Sequence, residues 1–165
     1  MSVSPPRIIR ALGIDGGTLE CGYGLVLIEG TKERFLECGT VETSFKALRA
    51  LIEAAAPDVV GVEGVSIMRQ QASSALLGTK GASTTACNAA ESLDVLYDVI
   101  GSNVWRAALE IKMSRRKDDR TADRKIDGAL RMRLAGFPAP GKTNNHQRDG
   151  VGVALVAGLR LRAKG

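Results

Sequence analysis

The sequence predicts an α/β fold in which three consecutive antiparallel strands lead into helices alternating with two further strands. Three observations predict it. Apolar and β-branched runs crowd the first 41 residues, broken only by Gly16-Gly17 and the polar turn at 29–33. Helical spacing of apolar residues begins only after Ser44. Short β-rich runs then recur between helical stretches, the pattern of strand–helix alternation.

Each element has its own justification. Residues 7–15 read as a strand ending at Asp15, where two glycines allow a tight turn. Residues 22–28 and 34–41 continue as strands two and three. Residues 44–56 place Phe45, Leu48, Leu51 and Ile52 on one helical face, with Ser44 as N-cap and Pro57-Asp58 as the stop. The short β-branched run 59–65 reads as a buried strand carrying Glu63. Residues 70–93, rich in Ala and Leu, read as a long helix, and 102–107 as the fifth strand. The charged, aperiodic stretch 114–121 reads as an exposed loop. A helix over 121–135 sets Ile126, Leu130 and Leu134 on one face. After the break at 137–141, Thr143 or Asn144 caps a last helix running to about Arg162. The resulting order is βββ-α-β-α-β-α-α, read as one domain over 1–165.

Composition narrows the function classes. The chain has 165 residues, 44% hydrophobic and 25% charged, which suits a globular core and excludes wholesale disorder. Aromatics make up only 4%, so stacking platforms for single-stranded nucleic acid are scarce. Three cysteines without C-x-x-C spacing argue against a disulfide scaffold or a zinc site and suit a reducing compartment. Cys21 and Cys38 fall on adjacent strands, where they could face each other. No apolar run approaches the ~20 residues of a membrane span, and Met1–Arg10 lacks the apolar stretch of a secretory signal. A cytoplasmic setting with no membrane partner is expected.

Charge is uneven. Residues 1–100 hold 8 Lys/Arg and 12 Asp/Glu, a balance of −4, whereas residues 101–165 hold 15 and 6, a balance of +9. The basic stretch from Arg106 to Arg133 suits phosphate contacts. Interspersed Asp118, Asp119, Asp123 and Asp127 equally suit a solvated helix face.

Asp15 and Glu63 break the local pattern, because each ends or interrupts an apolar strand where an unpartnered charge is costly. Neighbouring strands offering two carboxylates build a negative site that a cation or a shifted pKa must neutralise. His146 and Asp149, at i and i+3, share one face of the last helix and can complete it. Oxygen donors with one imidazole suit Mg²⁺ or Mn²⁺. Each residue also has an ordinary reading, as a turn aspartate, a strand-end glutamate, a surface histidine or a first-turn helix aspartate. Gly150 and Gly152 inside the last helix imply that its backbone lies close to something, such as the sheet beneath the site.

Taken together these segments resemble the RuvC-type Holliday junction resolvases of the RNase H-like superfamily. The resemblance runs from about residue 9 to 160. It is carried by Leu12-Gly-Ile-Asp-Gly-Gly-Thr, Gly22-Tyr-Gly-Leu-Val, Val62-Glu-Gly-Val, Ser74-Ala-Leu-Leu-Gly and His146-Gln-Arg-Asp-Gly-Val-Gly-Val-Ala-Leu. It implies an RNase H-like fold whose mixed five-stranded sheet has three antiparallel strands, then two parallel ones, flanked by helices. It implies an endonuclease that resolves four-way DNA junctions by symmetric metal-dependent nicking, leaving 5′-phosphate and 3′-hydroxyl ends. Asp15, Glu63, His146 and Asp149 would be the catalytic, metal-binding set, holding two Mg²⁺ per site with Mn²⁺ able to substitute. Arg69, Lys112, Arg115, Arg116, Lys117, Arg120, Arg124 and Lys125 would touch DNA. A homodimer would present two sites, with residues 72–93 in the contact, working beside branch-migration machinery that the sequence does not identify. The setting would be the nucleoid of a bacterial or phage-infected cell, or an organelle. Two positions depart from the family pattern: Gly16 replaces its usual proline, and Ser66 replaces an aromatic. The alternative is another RNase H-like nuclease acting on RNA–DNA hybrid, flap or other branched DNA. The Gly13–Thr18 segment also resembles the phosphate loop of the actin and sugar-kinase superfamily, which needs two such domains. A silent DNA-binding module is a third reading.

Overall fold

The computed structural model describes residues 7–64, 74–111 and 120–165. Five strands form one mixed sheet in the order β3-β2-β1-β4-β5. β1 (Ile8–Asp15), β2 (Glu20–Glu29) and β3 (Lys32–Glu42) pair antiparallel, and β4 (Val59–Gly64) and β5 (Leu96–Gly101) run parallel to β1. The remaining elements are α1 (Phe45–Ala55), α2 (Ser74–Glu91), α3 (Ser102–Ala108), α4 (Arg120–Arg133) and α5 (Asn145–Ala163). A mixed five-stranded sheet flanked by helices is the architecture the sequence predicts.

Strand alternation divides the core. Ile9 and Ala11 of β1 and Val26 and Ile28 of β2 pack toward α3, α4 and α5. Leu12 and Ile14 of β1 and Val60 and Val62 of β4 pack on the other face, against Leu48 and Ile52 of α1 and the alanines of α2. Period-2 geometry therefore puts Asp15 and Glu63 on the α5 face. That helix buries Val151, Val153, Ala154, Leu155 and Val156, and each large apolar side chain contributes about 1.5–3 kcal/mol of burial.

α5 lies unusually close to the sheet. A Cβ added at Gly13 would collide with the Gly150 carbonyl and the Ala154 backbone, and one added at Gly24 with the Val151 backbone. One added at Gly150 would come within 2.9 Å of Tyr23 Cα. The close backbone approach expected from Gly150 is thus present, whereas Gly152 faces an aromatic ring (below).

Four expectations need correction. Residues 102–107 are helix α3, and the fifth strand is Leu96–Gly101. Val104-Trp105 mimics a strand pair, but Gly101 closes the strand and N-caps α3. The run of helices after β5 is therefore three, not two. Residue 120 belongs to α4 rather than to a loop, while 114–119 lie outside the described residues. Cys21 pairs with Val41 and Cys38 with Gly24, so the two are not opposite each other; all three cysteines are free thiols. The described part of the long helix is α2, and positions 70–73 lie outside the described residues.

Candidate active site

Register brings the first two carboxylates together. β1 and β4 pair Ala11 with Val59 through to Ile14 with Val62. One step further in the same parallel register, Asp15 stands beside Glu63. The Asp15 end is anchored through its loop: Thr43 Oγ1–H donates to the Gly17 carbonyl at 2.8 Å. The Glu63 end is anchored by α2, where the Ser83 hydroxyl donates to the Glu63 carbonyl at 2.8 Å.

The last helix supplies the third carboxylate. Its start is fixed by Asn144 rather than Thr143. The Asn144 side chain accepts from Gln147 N–H at 2.9 Å, and Gln147 Oε1 accepts from Asn144 N–H at 3.0 Å. This reciprocal capping box sets the rotation of the first turn, and with it the directions of His146 and Asp149. Carboxylate oxygens of Asp15, Glu63 and Asp149 all lie within 4.8 Å of one another. His146 joins them through Nδ1, 2.7 Å from Asp15 Oδ2, while 63% of its side chain is exposed. The structure thus brings Asp15, Glu63, His146 and Asp149 to one place.

Two neighbours of the carboxylates were not singled out by sequence. Trp105 Nε1–H donates to Glu63 Oε1 at 2.9 Å. The Arg106 guanidinium meets Asp149 Oδ2 at 3.2 Å and lies 5.0 Å from the centre of the Trp105 ring. Arg106 entered the sequence reading only as part of a basic tally. The one available signal was a lone tryptophan in an aromatic-poor chain, directly before an arginine.

The electrostatics follow from crowding. Asp15 is 5% exposed. Burial first, then the hydrogen bond and charge of Glu63 and the charge of Asp149, push its carboxyl up to about 9, with Arg106 opposing. Burial and the Glu63 charge push Asp149 up to about 6, again against Arg106. Three clustered carboxylates with one contacting guanidinium cannot all ionise cheaply. The arrangement fits a divalent cation, and an all-oxygen set suits a hard one.

The basic residues are only partly described. Arg124 and Lys125 are exposed on α4, on the side opposite buried Ile126 and Leu130. Arg69, Lys112, Arg115, Arg116 and Lys117 lie outside the described residues, as does Ser66, and the Arg120 side chain is likewise outside the description. No described helix is long and apolar enough to cross a membrane.

No family model matches the chain. Comparison with individual proteins does find relatives. The crossover junction endodeoxyribonuclease RuvC of Prochlorococcus marinus is 31% identical over 85 residues, 44% of this chain, and the match spans about half of that relative (54%). RuvC of Bordetella avium is 30% identical over 148 residues, covering 80% of this chain and 76% of the relative. Among solved structures, Thermus thermophilus RuvC in complex with Holliday junction substrate superposes with a TM-score of 0.67 at 22% identity, over 95% of this chain and 96% of that one. The fold is therefore that of Thermus RuvC. With sequence identity of this level running over four-fifths of its length, the chain belongs to the RuvC family of crossover junction endodeoxyribonucleases.

Proposed function

We propose that this chain is a metal-dependent endonuclease that nicks four-way DNA junctions. The observation that carries the reading is the convergence of Asp15, Glu63 and Asp149 in a fold shared with a RuvC that binds a Holliday junction. Asp15, Glu63 and Asp149 would hold Mg²⁺, with Mn²⁺ able to replace it and two ions per site. When bound, such ions supply Lewis-acid polarisation of the phosphoryl oxygens and a lowered pKa for water.

The protein's own groups do the rest. Partial burial keeps bulk water from the carboxylates and strengthens their hold on a cation. In the neutral tautomer that donates through Nδ1 to an ionised Asp15, His146 has a lone pair on Nε2, which makes no hydrogen bond among the described residues. That nitrogen can join the metal set or accept a proton from the attacking water. Water oxygen bonds to phosphorus, the P–O3′ bond breaks, and the products carry 5′-phosphate and 3′-hydroxyl ends. Arg124 and Lys125 on α4, with Arg69, Lys112, Arg115, Arg116, Lys117 and Arg120, would meet backbone phosphates.

Symmetric resolution requires two sites, which a two-fold homodimer supplies. α2 is the proposed contact, since its outward positions Lys80, Gly81 and Thr84 carry small or flexible side chains.

The test is a cleavage assay with labelled four-way junction, linear duplex, RNA–DNA hybrid and flap, each with Mg²⁺, Mn²⁺ or EDTA. Paired symmetric nicks in the junction alone, lost in EDTA, are expected. Preferential cutting of hybrid or flap would overturn the junction reading and leave the metal site standing.

A further inference from the structure

We infer that Trp105 is a positioning residue, whose indole sets both the orientation of the Glu63 carboxylate and its spacing from Asp149. The inference rests on reading the carboxylates as a metal site.

The first argument is chemical. An indole N–H only donates, so its 2.9 Å bond engages one oxygen, Oε1, of Glu63. The other oxygen is left for the shared site. The second argument is steric. Trp105 is fully buried, and its ring lies against Gly152, where an added Cβ would come within 2.7 Å of Cε3 and 2.8 Å of Cζ3. Gly152 stands three residues beyond Asp149 on the same face of α5. The ring therefore separates the end of β4, which carries Glu63, from the turns of α5 that carry Asp149. Glycine is disfavoured inside helices, and here it clears the space that the ring occupies. The third argument is pairing. Arg106, the next residue of α3, contacts Asp149 and lies over the same ring. Consecutive residues of one short helix thus hold two of the three carboxylates. A ring with only a packing role would need no N–H aimed at a carboxylate.

Trp105→Phe removes both the donor and the benzo ring that meets Gly152. Binding of Mn²⁺ to DNA-free protein, followed by electron paramagnetic resonance of the free ion, should weaken about tenfold, the scale typical of lost partners behind metal ligands. Junction affinity in EDTA should not change. Gly152→Ala should weaken Mn²⁺ binding in the wild-type background and add little in Trp105→Phe, because both act through one ring. Mn²⁺ binding by Trp105→Phe within twofold of wild type would overturn the inference. A readout independent of whether variants fold comes from the wild type. Its single tryptophan gives one indole N–H resonance, which should shift in step with Mg²⁺ saturation measured by calorimetry. An unmoved resonance at saturation would also overturn it. Failure of the wild type to bind either ion is a different result, since it removes the metal site itself.

Discussion

Asp15 sits at the end of a buried strand, against a second carboxylate and within reach of a third, and its behaviour with pH follows from that position. Its carboxyl is pushed up to about 9 and that of Asp149 to about 6, both mainly by burial. In the unfolded chain both would titrate near their ordinary value, ~4. Between those limits the metal-free native state binds more protons than the unfolded state, so stability falls as pH rises. In EDTA, melting temperature is expected to drop by several degrees from pH 5.5 to 8.5. The drop should shrink with Mg²⁺, which favours the ionised carboxylates, and in Asp15→Asn. A melting temperature that rises with pH in EDTA would refute this electrostatic account. Legibility at this scale was uneven. Asp15 and Glu63 were visible because a charge at the end of an apolar strand breaks a local rule, and His146 and Asp149 because their i, i+3 spacing puts them on one face of the last helix. Trp105 and Arg106 were not, because their bonds span 42 and 43 residues of chain and leave no trace in local periodicity.

Among the elements, α5 governs the site. Its capping box fixes the first turn, and the glycines of β1, β2 and α5 let its axis settle onto the sheet. Gly13→Ala would force a methyl into the α5 backbone, which cannot swing aside as a flexible side chain could. A loss of at least about 2 kcal/mol is expected from such overpacking, measured by urea denaturation, with weakened metal binding because Asp149 and His146 move with the helix. A variant as stable as wild type would mean that α5 does not press on the sheet as described. The first four strands were legible from alternation and turn glycines, to within two residues at each end, whereas the fifth was placed one element too late. α3 was not. Its seven residues are too few to show a 3.6-residue period, and Val104-Trp105 imitates a strand. Missing that helix hid the element that holds two carboxylates.

For the whole molecule, charge is the organising quantity. The +9 balance of residues 101–165 overstates what is available to phosphate. Arg106, Arg131, Arg133, Arg148 and Arg160 each meet a carboxylate of the same chain. Arg133 and Glu33 tie α4 to β3 with two hydrogen bonds of 2.6 and 3.1 Å, so part of this charge staples the fold. Arg124, exposed on α4, and the basic residues just before that helix are then the positions to vary for DNA affinity. Two-fold assembly makes a separate prediction. Sedimentation at micromolar concentration should show a dimer that persists with junction DNA, and monomer under both conditions would rule out paired sites on one assembly.

The central claim is that the Asp15–Glu63–Asp149 cluster is the cutting site of a junction nuclease. The most direct measurement compares wild type and Asp15→Asn on a labelled four-way junction in Mg²⁺, with binding followed in parallel in EDTA. The account predicts symmetric nicking by wild type, no detectable nicking by Asp15→Asn, and junction binding by the variant at least as tight as wild type, since negative charge near phosphate has been removed. Nicking by Asp15→Asn at the wild-type rate would contradict it.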